Sequence, residues 1–266
     1  FIKKSKIMII KQGLKSRSEV LSFVQDGMNI VDIGGASKPF NKANYIIDIQ
    51  PYESYIGKKP GISATGWFDE DVSIKKENWV VQDICSRQPF PFSDNFFDFS
   101  VCTQTLEDLR DPIWVVSEIS RISKAGYIEV PSIQYERSNI ESPFWAGACH
   151  HRWLISIEND SLKFLYKYSF VNAKELFLKI PKDFLSANLS IIWENSIEAF
   201  EKFDMTWGGE GILKEITNIE DKNILYKLLL KTTGKSLAKE KLKYLIKKYT
   251  GESNYKYLRK ILKNND

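Results

Sequence analysis

Two short apolar runs on either side of a glycine turn constrain the fold of this chain more than any other stretch. Residues 29–50 read NIVDIGGASKPFNKANYIIDIQ, and the runs are Ile30–Ile33 and Tyr45–Ile47. Short β-branched and aromatic runs between turn residues are typical of parallel strands buried on both faces of a sheet. An acid accompanies each run, Asp32 within the first and Asp48 directly after the second. The stretch therefore predicts two parallel strands with polar groups near their ends.

The turn between the two strands indicates the kind of ligand. Gly34 and Gly35 have no side chains, so a ligand can approach the backbone closely. Asp48 stands where an acid in nucleotide-binding folds accepts hydrogen bonds from ribose hydroxyls. The G-x-G-x-x-G dinucleotide fingerprint is incomplete, and the nine residues Ala36–Asn44 are fewer than the roughly 10 to 12 of a βαβ crossover. We expect an irregular or single-turn connection containing Pro39, and an adenosine cofactor without phosphate groups.

Further strands follow in alternation with other elements. We predict a third strand over Trp79–Gln82, a fourth over Phe97–Cys102 and a fifth over Tyr127–Val130. Residues 49–77 show no sustained periodicity, which predicts a binding loop or lid. Strands that alternate with helical or loop crossovers indicate an α/β fold with a mainly parallel sheet.

The helix between the fourth and fifth strands has start and stop signals. Asp111 is an N-cap acid, and Pro112 follows at the first helical position. We predict that Gly126 ends the helix. Its predicted buried face consists of Trp114, Val115, Ile119 and Ile122.

The order and spacing of these runs resemble a known enzyme family. The runs VDIGGASKPF, YIIDI, VVQDI and PFPFSDNFFDFSVCTQTLEDLRDPIWVVSEISRISKAGYIEVPS resemble class I S-adenosylmethionine-dependent methyltransferases, especially the small-molecule branch called type 11. The resemblance covers roughly residues 28–132. It implies a Rossmann-like sheet of the seven-stranded methyltransferase type, with S-adenosylmethionine as the cofactor and S-adenosylhomocysteine as the product.

The resemblance also implies which residues bind the cofactor. They are Asp32, Gly34 and Gly35 at the methionine end, Asp48 at the ribose, Asp83 and Ile84 at the adenine, and Thr103 and Gln104 at the sulfonium. The chain departs from the family pattern at two positions. Ala36 stands where the second glycine is usual, and Asp108 stands where many relatives have histidine.

The acceptor side is expected beyond the fifth strand. His150 and His151 are the only histidines, and they precede a predicted hairpin whose turn is at Asn159 and Asp160. Adjacent residues that enter a strand point to opposite faces, so at most one imidazole is expected to reach the substrate. Because imidazole takes up a proton near neutral pH, we predict His151 as the catalytic base. His150 and Asp108 are the further catalytic candidates.

Four residues are predicted to contact the acceptor, namely Tyr135, Glu136, Arg152 and Trp153. The alternatives stay open: a histidine hydrogen-bonded within its loop, a core tryptophan and a surface arginine. No metal site is predicted, because the spacing of the nearby carboxylates is not diagnostic of one. Those carboxylates are Glu107, Asp108, Asp111 and Glu136, and a metal-assisted route remains an alternative.

Charge is distributed unevenly along the chain. Residues 222–266 contain thirteen Lys and Arg against three acids, whereas the whole chain has a net charge of +4. Leucines and isoleucines at helical spacing among these lysines favour amphipathic helices, and an arm for nucleic acid is the alternative. We predict one domain with a cofactor-binding core at about 16–132, an acceptor and hairpin region at about 133–205, and a helical, Lys-rich region at about 206–266.

Composition bounds the compartment and the function. No apolar run reaches the ~18 residues of a membrane span, the opening FIKKSKIMII is short for a secretory signal, and the three cysteines cannot form a complete disulfide framework. We therefore predict a cytoplasmic enzyme that methylates a small polar acceptor, at an oxygen of a sugar, a nucleotide-activated building block or a phosphorylated metabolite. A role in surface-polysaccharide synthesis is an association by resemblance. An RNA methyltransferase that uses the basic region, or a non-catalytic protein with the cofactor fold, are the alternatives.

Overall fold

A computed structural model describes residues 8–14, 17–35, 39–54, 74–139, 142, 144–172, 187–203, 212 and 214–215. Most of the predicted loop at 49–77 and nearly all of the predicted basic region at 206–266 lie outside these residues. Within them, none of the helices combines the length and the apolar character needed to cross a membrane.

A seven-stranded sheet forms the centre of the described fold. Ten strands lie within the described residues: β1 (Met8–Gln12), β2 (Ile30–Ile33), β3 (Tyr45–Asp48), β4 (Trp79–Val81), β5 (Phe99–Thr103), β6 (Ala125–Pro131), β7 (Trp153–Glu158), β8 (Ser161–Tyr166), β9 (Asn188–Glu194) and β10 (Ala199–Glu201). The large sheet has the order β1-β9-β6-β5-β2-β3-β4. Strands β2 to β6 are parallel, and β9 runs antiparallel to both β6 and β1. This arrangement confirms the predicted α/β fold and its mainly parallel sheet.

The link between β2 and β3 is irregular where the structure describes it. Residues 39–44 contain no helix, and a turn closes there through a hydrogen bond from the Ala43 N–H to the Phe40 carbonyl at 2.9 Å. The expected irregular connection is thus confirmed for residues 39–44, whereas 36–38 lie outside the described residues. Phe40 is fully buried, so this turn packs onto the sheet.

Helix α1 (Pro112–Ile122) connects β5 to β6 and begins as the sequence predicts. The Asp111 carboxylate accepts a hydrogen bond from the Trp114 N–H at 3.2 Å, which satisfies one of the free amides of the first turn. The apolar face at Val115, Ile119 and Ile122 is buried as predicted, whereas Trp114 is only half-buried.

The prediction that Gly126 ends α1 is wrong. The helix ends at Ile122, and Gly126 lies inside β6. A Cβ atom on Gly126 would come within 2.7 Å of the Ser100 carbonyl oxygen and 2.8 Å of the Trp193 Nε1 atom. The glycine is therefore required by close packing between neighbouring strands rather than by a helix terminus.

A second, three-stranded sheet packs on the α1 side of the large sheet, in the order β10-β8-β7. Strands β7 and β8 form the predicted hairpin, and both turn residues have left-handed backbones, with φ 51° at Asn159 and 59° at Asp160. Two successive residues with positive φ are the signature of a type I′ hairpin turn. Trp153 and Phe164 of this small sheet belong to the same buried apolar cluster as residues of α1.

Candidate functional site

The predicted cofactor turn and the loop after β5 meet at the carboxyl edge of the large sheet. Gly34 has a left-handed backbone with φ +78°, and a Cβ atom there would lie 2.5 Å from the Thr105 side chain. Strands β2 and β5 are direct neighbours, so the segments that follow them emerge side by side. Ligands of open α/β sheets bind outside the carboxyl ends of the strands, which is where these segments lie.

The buried Asp32 side chain packs against the turn that follows β2. It is 1% exposed, and its Oδ2 atom accepts a hydrogen bond from the Phe40 N–H at 2.7 Å. A Cβ atom on Gly35 would lie 2.3 to 2.6 Å from the three carboxylate atoms of Asp32. The carboxylate thus fills the space under Gly35 and hydrogen-bonds the link to β3 at Phe40. Its predicted contact with the methionine end of the cofactor remains a prediction.

Asp48 ends β3 at the same edge. Its Oδ1 atom accepts a hydrogen bond from the Gln50 N–H at 2.8 Å, which fixes the direction of the carboxylate. A carboxylate fixed at the end of this strand is an acceptor of the kind that hydrogen-bonds ribose hydroxyls in nucleotide-binding folds. An acceptor carboxylate here fits the ribose of S-adenosylmethionine, and the contacts of Gly34, Gly35 and Asp48 with the cofactor remain predictions.

The predicted adenine residues follow β4. The Asp83 carboxylate accepts hydrogen bonds from the Cys85 N–H at 2.9 Å and from the Arg110 guanidinium. These two donors, with the Cys85 amide as the larger effect, lower the pKa of Asp83 below its ordinary value. Ile84 is buried in the apolar cluster that contains α1. Asp83 already has protein partners, so its predicted contact with adenine remains a prediction.

Thr103 and Gln104 are the residues predicted near the sulfonium; Thr103 ends β5 and Gln104 follows it. Gln104 has a left-handed backbone with φ 49°. Its side-chain amide donates to Glu129 Oε1 at 3.3 Å and to Asn188 Oδ1 at 3.2 Å. The Nδ2 atom of Asn188 is buried and has no hydrogen-bond partner among the described residues. A polar cluster therefore lies beside the end of β5, on the side of β6 and β9.

The expectation that His150 and His151 point to opposite faces of a strand is wrong. Strand β7 begins only at Trp153, so both histidines lie in the loop before it. Their rings contact each other edge-on with centroids 4.5 Å apart. Asp108 joins them, because one ligand-type atom from each of the three residues lies within 4.8 Å of the other two. The structure thus brings together the three residues that the sequence proposed as catalytic candidates.

Two hydrogen bonds hold the histidine loop against the loop after β5. The Arg152 N–H donates to the Glu107 carbonyl at 2.8 Å, and the Trp153 Nε1–H donates to the Leu109 carbonyl at 2.7 Å. The two acceptor residues, Glu107 and Leu109, lie on either side of Asp108 along the chain. The two hydrogen bonds explain why Asp108 faces the two histidines.

Glu136 fixes His151 from the buried side. The Glu136 Oε1 atom lies 2.5 Å from His151 Nδ1, and its Oε2 atom accepts a hydrogen bond from the Lys167 ammonium. Lys167 also donates to the Ala148 carbonyl at 2.6 Å. Side chains of Glu136 and Lys167 are each 1% exposed. Both carboxylate oxygens of Glu136 are engaged inside the protein, and its predicted substrate contact remains a prediction.

The remaining predicted acceptor residues differ in their surroundings. Tyr135 is half-buried and stacks on His151, with ring centroids 6.2 Å apart and an interplanar angle of 24°. The Arg152 side chain is exposed at the same loop. Trp153 is buried, packs edge-on against Phe164 and has its indole N–H satisfied. This placement agrees with the core tryptophan alternative, and the predicted substrate contact of Trp153 remains a prediction.

Sequence reasoning missed two contributors to this site. Lys167 is a lysine just after the buried strand β8, and only its position beside an apolar run could have suggested a buried partner. Gly147 has φ +58°, and a Cβ atom there would lie 2.6 Å from Glu136 Oε2. The glycine lets the loop before the histidines lie directly on the Glu136 carboxylate.

Glu107 is a buried acid next to Asp108. It is 1% exposed, and its Oε2 atom has no hydrogen-bond partner among the described residues. Burial raises the pKa of Glu107 well above its ordinary value, and the charges of Asp108 and Glu136 raise it further. The raised pKa favours the neutral form of Glu107, which adds no negative charge to the cluster of Asp108, His150 and His151.

Comparison with known proteins gives one family and a set of distant structures. Residues 66–128 match the family described as "Methyltransferase domain", within the region of the predicted resemblance. A SAM-dependent methyltransferase structure from Methanosarcina mazei is 14% identical with a TM-score of 0.38, and covers 70% of this chain and 100% of that one. One from Aquifex aeolicus is 17% identical with a TM-score of 0.32, and covers 66% and 87%.

A Bacillus halodurans structure is 13% identical with a TM-score of 0.30, and the match covers 43% of this chain and half of that one. Likeness at this level carries no argument about the acceptor. No curated protein matches the sequence.

Proposed function

We propose that this chain is a class I S-adenosylmethionine-dependent methyltransferase and that it methylates an oxygen of a small polar acceptor. The proposed acceptor is a sugar, a nucleotide-activated building block or a phosphorylated metabolite, with surface-polysaccharide synthesis as a setting. One observation carries the proposal: a buried carboxylate holds the Nδ1 atom of His151 beside the loop that follows β5. An acceptor hydroxyl needs such a base before it attacks a methyl group efficiently.

The direction of the Glu136–His151 hydrogen bond defines which nitrogen can act. Glu136 also accepts a hydrogen bond from the Lys167 ammonium, so it is in its ionised, acceptor form. A carboxylate accepts from Nδ1–H of His151 at 2.5 Å, and in the neutral imidazole this tautomer has its lone pair on Nε2. The buried carboxylate thereby selects the tautomer in which Nε2 can take the acceptor proton.

The chemistry is an in-line displacement. S-adenosylmethionine supplies a methyl group on a sulfonium, so the C–S bond pair moves to sulfur while an oxygen lone pair forms the new O–C bond. In this proposal the hydroxyl proton moves to Nε2 of His151, and the imidazolium that forms is stabilised by Glu136. The rest of the task is placement of the oxygen about 3 to 3.5 Å from the methyl carbon.

Polar and charged groups near His151 favour a polar acceptor. The exposed Arg152 follows His151 directly, and Tyr135 covers one face of the imidazole. A guanidinium suits phosphate or carboxylate groups, and an aromatic ring suits the apolar face of a sugar or a base. We therefore place nucleotide sugars and phosphorylated sugars first among the acceptors.

The experiment is a screen of nucleotide sugars and phosphorylated metabolites with S-adenosylmethionine, in EDTA, with S-adenosylhomocysteine as the readout. On the acceptor found, His151→Ala should lower turnover by ~10² to 10⁴ and leave cofactor affinity nearly unchanged. His150→Ala is the matched control, with the smaller effect expected. Equal turnover of His151→Ala and the parent chain would refute the assignment of the base. Cofactor binding without turnover on any acceptor would instead favour a non-catalytic protein.

A further inference from the structure

We propose that Asp108, His150 and His151 form a binding site for a divalent transition-metal ion. Each residue offers one ligand-type atom, and the three atoms lie within 4.8 Å of one another. Two imidazoles and one carboxylate are ligands that zinc, iron, cobalt and nickel accept, and three protein ligands leave a position open for a substrate oxygen. The proposal depends on the proposed function only for what the ion does, since binding of the ion can be measured alone.

The second observation is the support behind His151. Histidines that bind metals through one ring nitrogen almost always donate the other N–H to a carboxylate or a carbonyl. His151 has this arrangement, because its Nδ1 atom lies 2.5 Å from the buried Glu136 carboxylate. Its Nε2 atom is therefore the one left for a ligand bond, and the ring is already fixed in direction.

The charges around the site suit a cation. Asp108 is exposed, and its carboxylate takes no hydrogen bond from another described residue. The buried Lys167 ammonium is compensated by Glu136, so it does not leave an excess positive charge behind His151. The exposed Arg152 lies in the same loop, and its side chain can extend into solvent away from the ion.

The geometry needs only a small rearrangement. Ligand atoms of a tetrahedral zinc lie roughly 3.3 Å apart, as follows from metal–ligand bonds of about 2.0 to 2.1 Å. In the structure the three ligand-type atoms lie within 4.8 Å of one another. Asp108 and His150 are exposed, so their side chains can rotate inwards to reach the shorter separation, while His151 stays fixed by Glu136. The two loops that carry the ligands are already joined by the hydrogen bond from Arg152 N–H to the Glu107 carbonyl at 2.8 Å.

The ion would assist the same methyl transfer by a different route. An acceptor hydroxyl that occupies the open position becomes more acidic, as water does on zinc. The proton then leaves to solvent water instead of His151, whose Nε2 lone pair is used by the metal. The oxygen lone pair attacks the methyl carbon as before, and the C–S pair moves to sulfur.

The test measures binding of Zn²⁺ by calorimetry and of Co²⁺ by its visible absorption, on the full chain treated with EDTA and then dialysed. We expect one ion per chain, with at least tenfold weaker binding in Asp108→Asn and in His150→Gln. Glu136→Gln should weaken binding by 10- to 100-fold through loss of the support on Nδ1. Asp160→Asn is the matched control, because Asp160 is exposed in the β7–β8 turn and already has the left-handed backbone that Asn tolerates. Circular dichroism checks that each variant is folded.

Cys149 requires its own control, because it is an exposed thiol next to His150. Binding that survives in Cys149→Ser supports the proposed site. Binding that is lost in Cys149→Ser but kept in Asp108→Asn would assign the ion to the thiol and overturn the proposal. Equal affinity of Asp108→Asn, His150→Gln and Asp160→Asn would overturn it as well. None of these outcomes affects methyl transfer in EDTA, so failure of the metal site and failure of the proposed function are distinguishable.

Discussion

Removal of one partner of the buried Glu136–Lys167 pair should destabilise the protein strongly. Both side chains are 1% exposed, so water cannot solvate whichever charge is left behind. Lys167→Met removes the ammonium and leaves the carboxylate with His151 as its remaining hydrogen-bond partner among those described above. Glu136→Gln keeps the size of the side chain but leaves the ammonium without its countercharge.

The expected magnitude follows from the desolvation of the charges. Breaking a buried pair by removal of one partner costs about 3 to 5 kcal/mol, whereas replacement of both partners is often close to neutral. Each single variant should therefore lose about that free energy of unfolding. The double variant Glu136→Gln/Lys167→Met should be more stable than the sum of the singles predicts, with a coupling of at least about 2 to 3 kcal/mol.

Urea unfolding near neutral pH, followed by circular dichroism, measures the stability of the parent chain, the two single variants and the double variant. Lys76→Met is the matched control, because Lys76 pairs with Glu53 on the surface and is 71% exposed. An exposed pair of that kind contributes little to stability, because water and salt screen its charges. The reasoning would be refuted if Lys167→Met cost no more than Lys76→Met, or if the double variant lost the full sum of the two single losses.

Three more predictions concern the cofactor turn and the surface charges. Gly35→Ala places a Cβ atom 2.3 Å from Asp32 Oδ2, so we expect a loss of about 1 to 3 kcal/mol on urea unfolding, and an unchanged midpoint would contradict the packing argument. Asp48→Ala should weaken S-adenosylhomocysteine binding at least tenfold in calorimetry, since two hydrogen bonds to a charged acceptor are worth ~1.5 to 3 kcal/mol each; an unchanged dissociation constant would remove Asp48 from the site. The Lys124 ammonium, with the Asn29 N–H, lowers the pKa of Asp98. The interaction stabilises the protein above about pH 4, the pKa of Asp in an unfolded chain, and this stabilisation is lost as pH falls through the lower pKa of Asp98 in the folded protein. Asp98→Asn should therefore flatten the plot of unfolding free energy against pH in this range. An identical slope in both proteins would argue against the interaction.

Local sequence signals predicted the parts of the molecule that depend on neighbours in the chain. The apolar runs around Gly34, the Asp111 cap and the Asn159–Asp160 turn all form where their residue types predict. Gly126 was misread, because its small size is needed by a neighbouring strand and the chain around it does not reveal that contact. A glycine shortly after a helix pattern has two physical explanations, and the sequence alone offers only the local one.

The acceptor side was predicted less well because it is assembled from distant segments. Asp108 and the histidines come from loops about forty residues apart, and the bonds that hold the loops together involve backbone carbonyls. Periodicity carries no information about such contacts. The partnership of Glu136 with Lys167 is of the same kind, since both residue types are usually exposed and only their mutual compensation allows burial.

The seventh position of the large sheet is filled by the beginning of the described chain. Strand β1 pairs with β9, so Met8 lies opposite Glu194, and the Gly13 N–H continues the contact to the Ser190 carbonyl at 2.9 Å. This pairing closes a loop of nearly the whole described chain, and contacts of such long sequence separation form slowly during folding. Until β1 arrives, one edge of β9 has unpaired backbone groups that another chain could join. Pulse-labelled hydrogen exchange should therefore show protection of the β1–β9 amides after that of β2 and β5, and simultaneous protection would contradict this order.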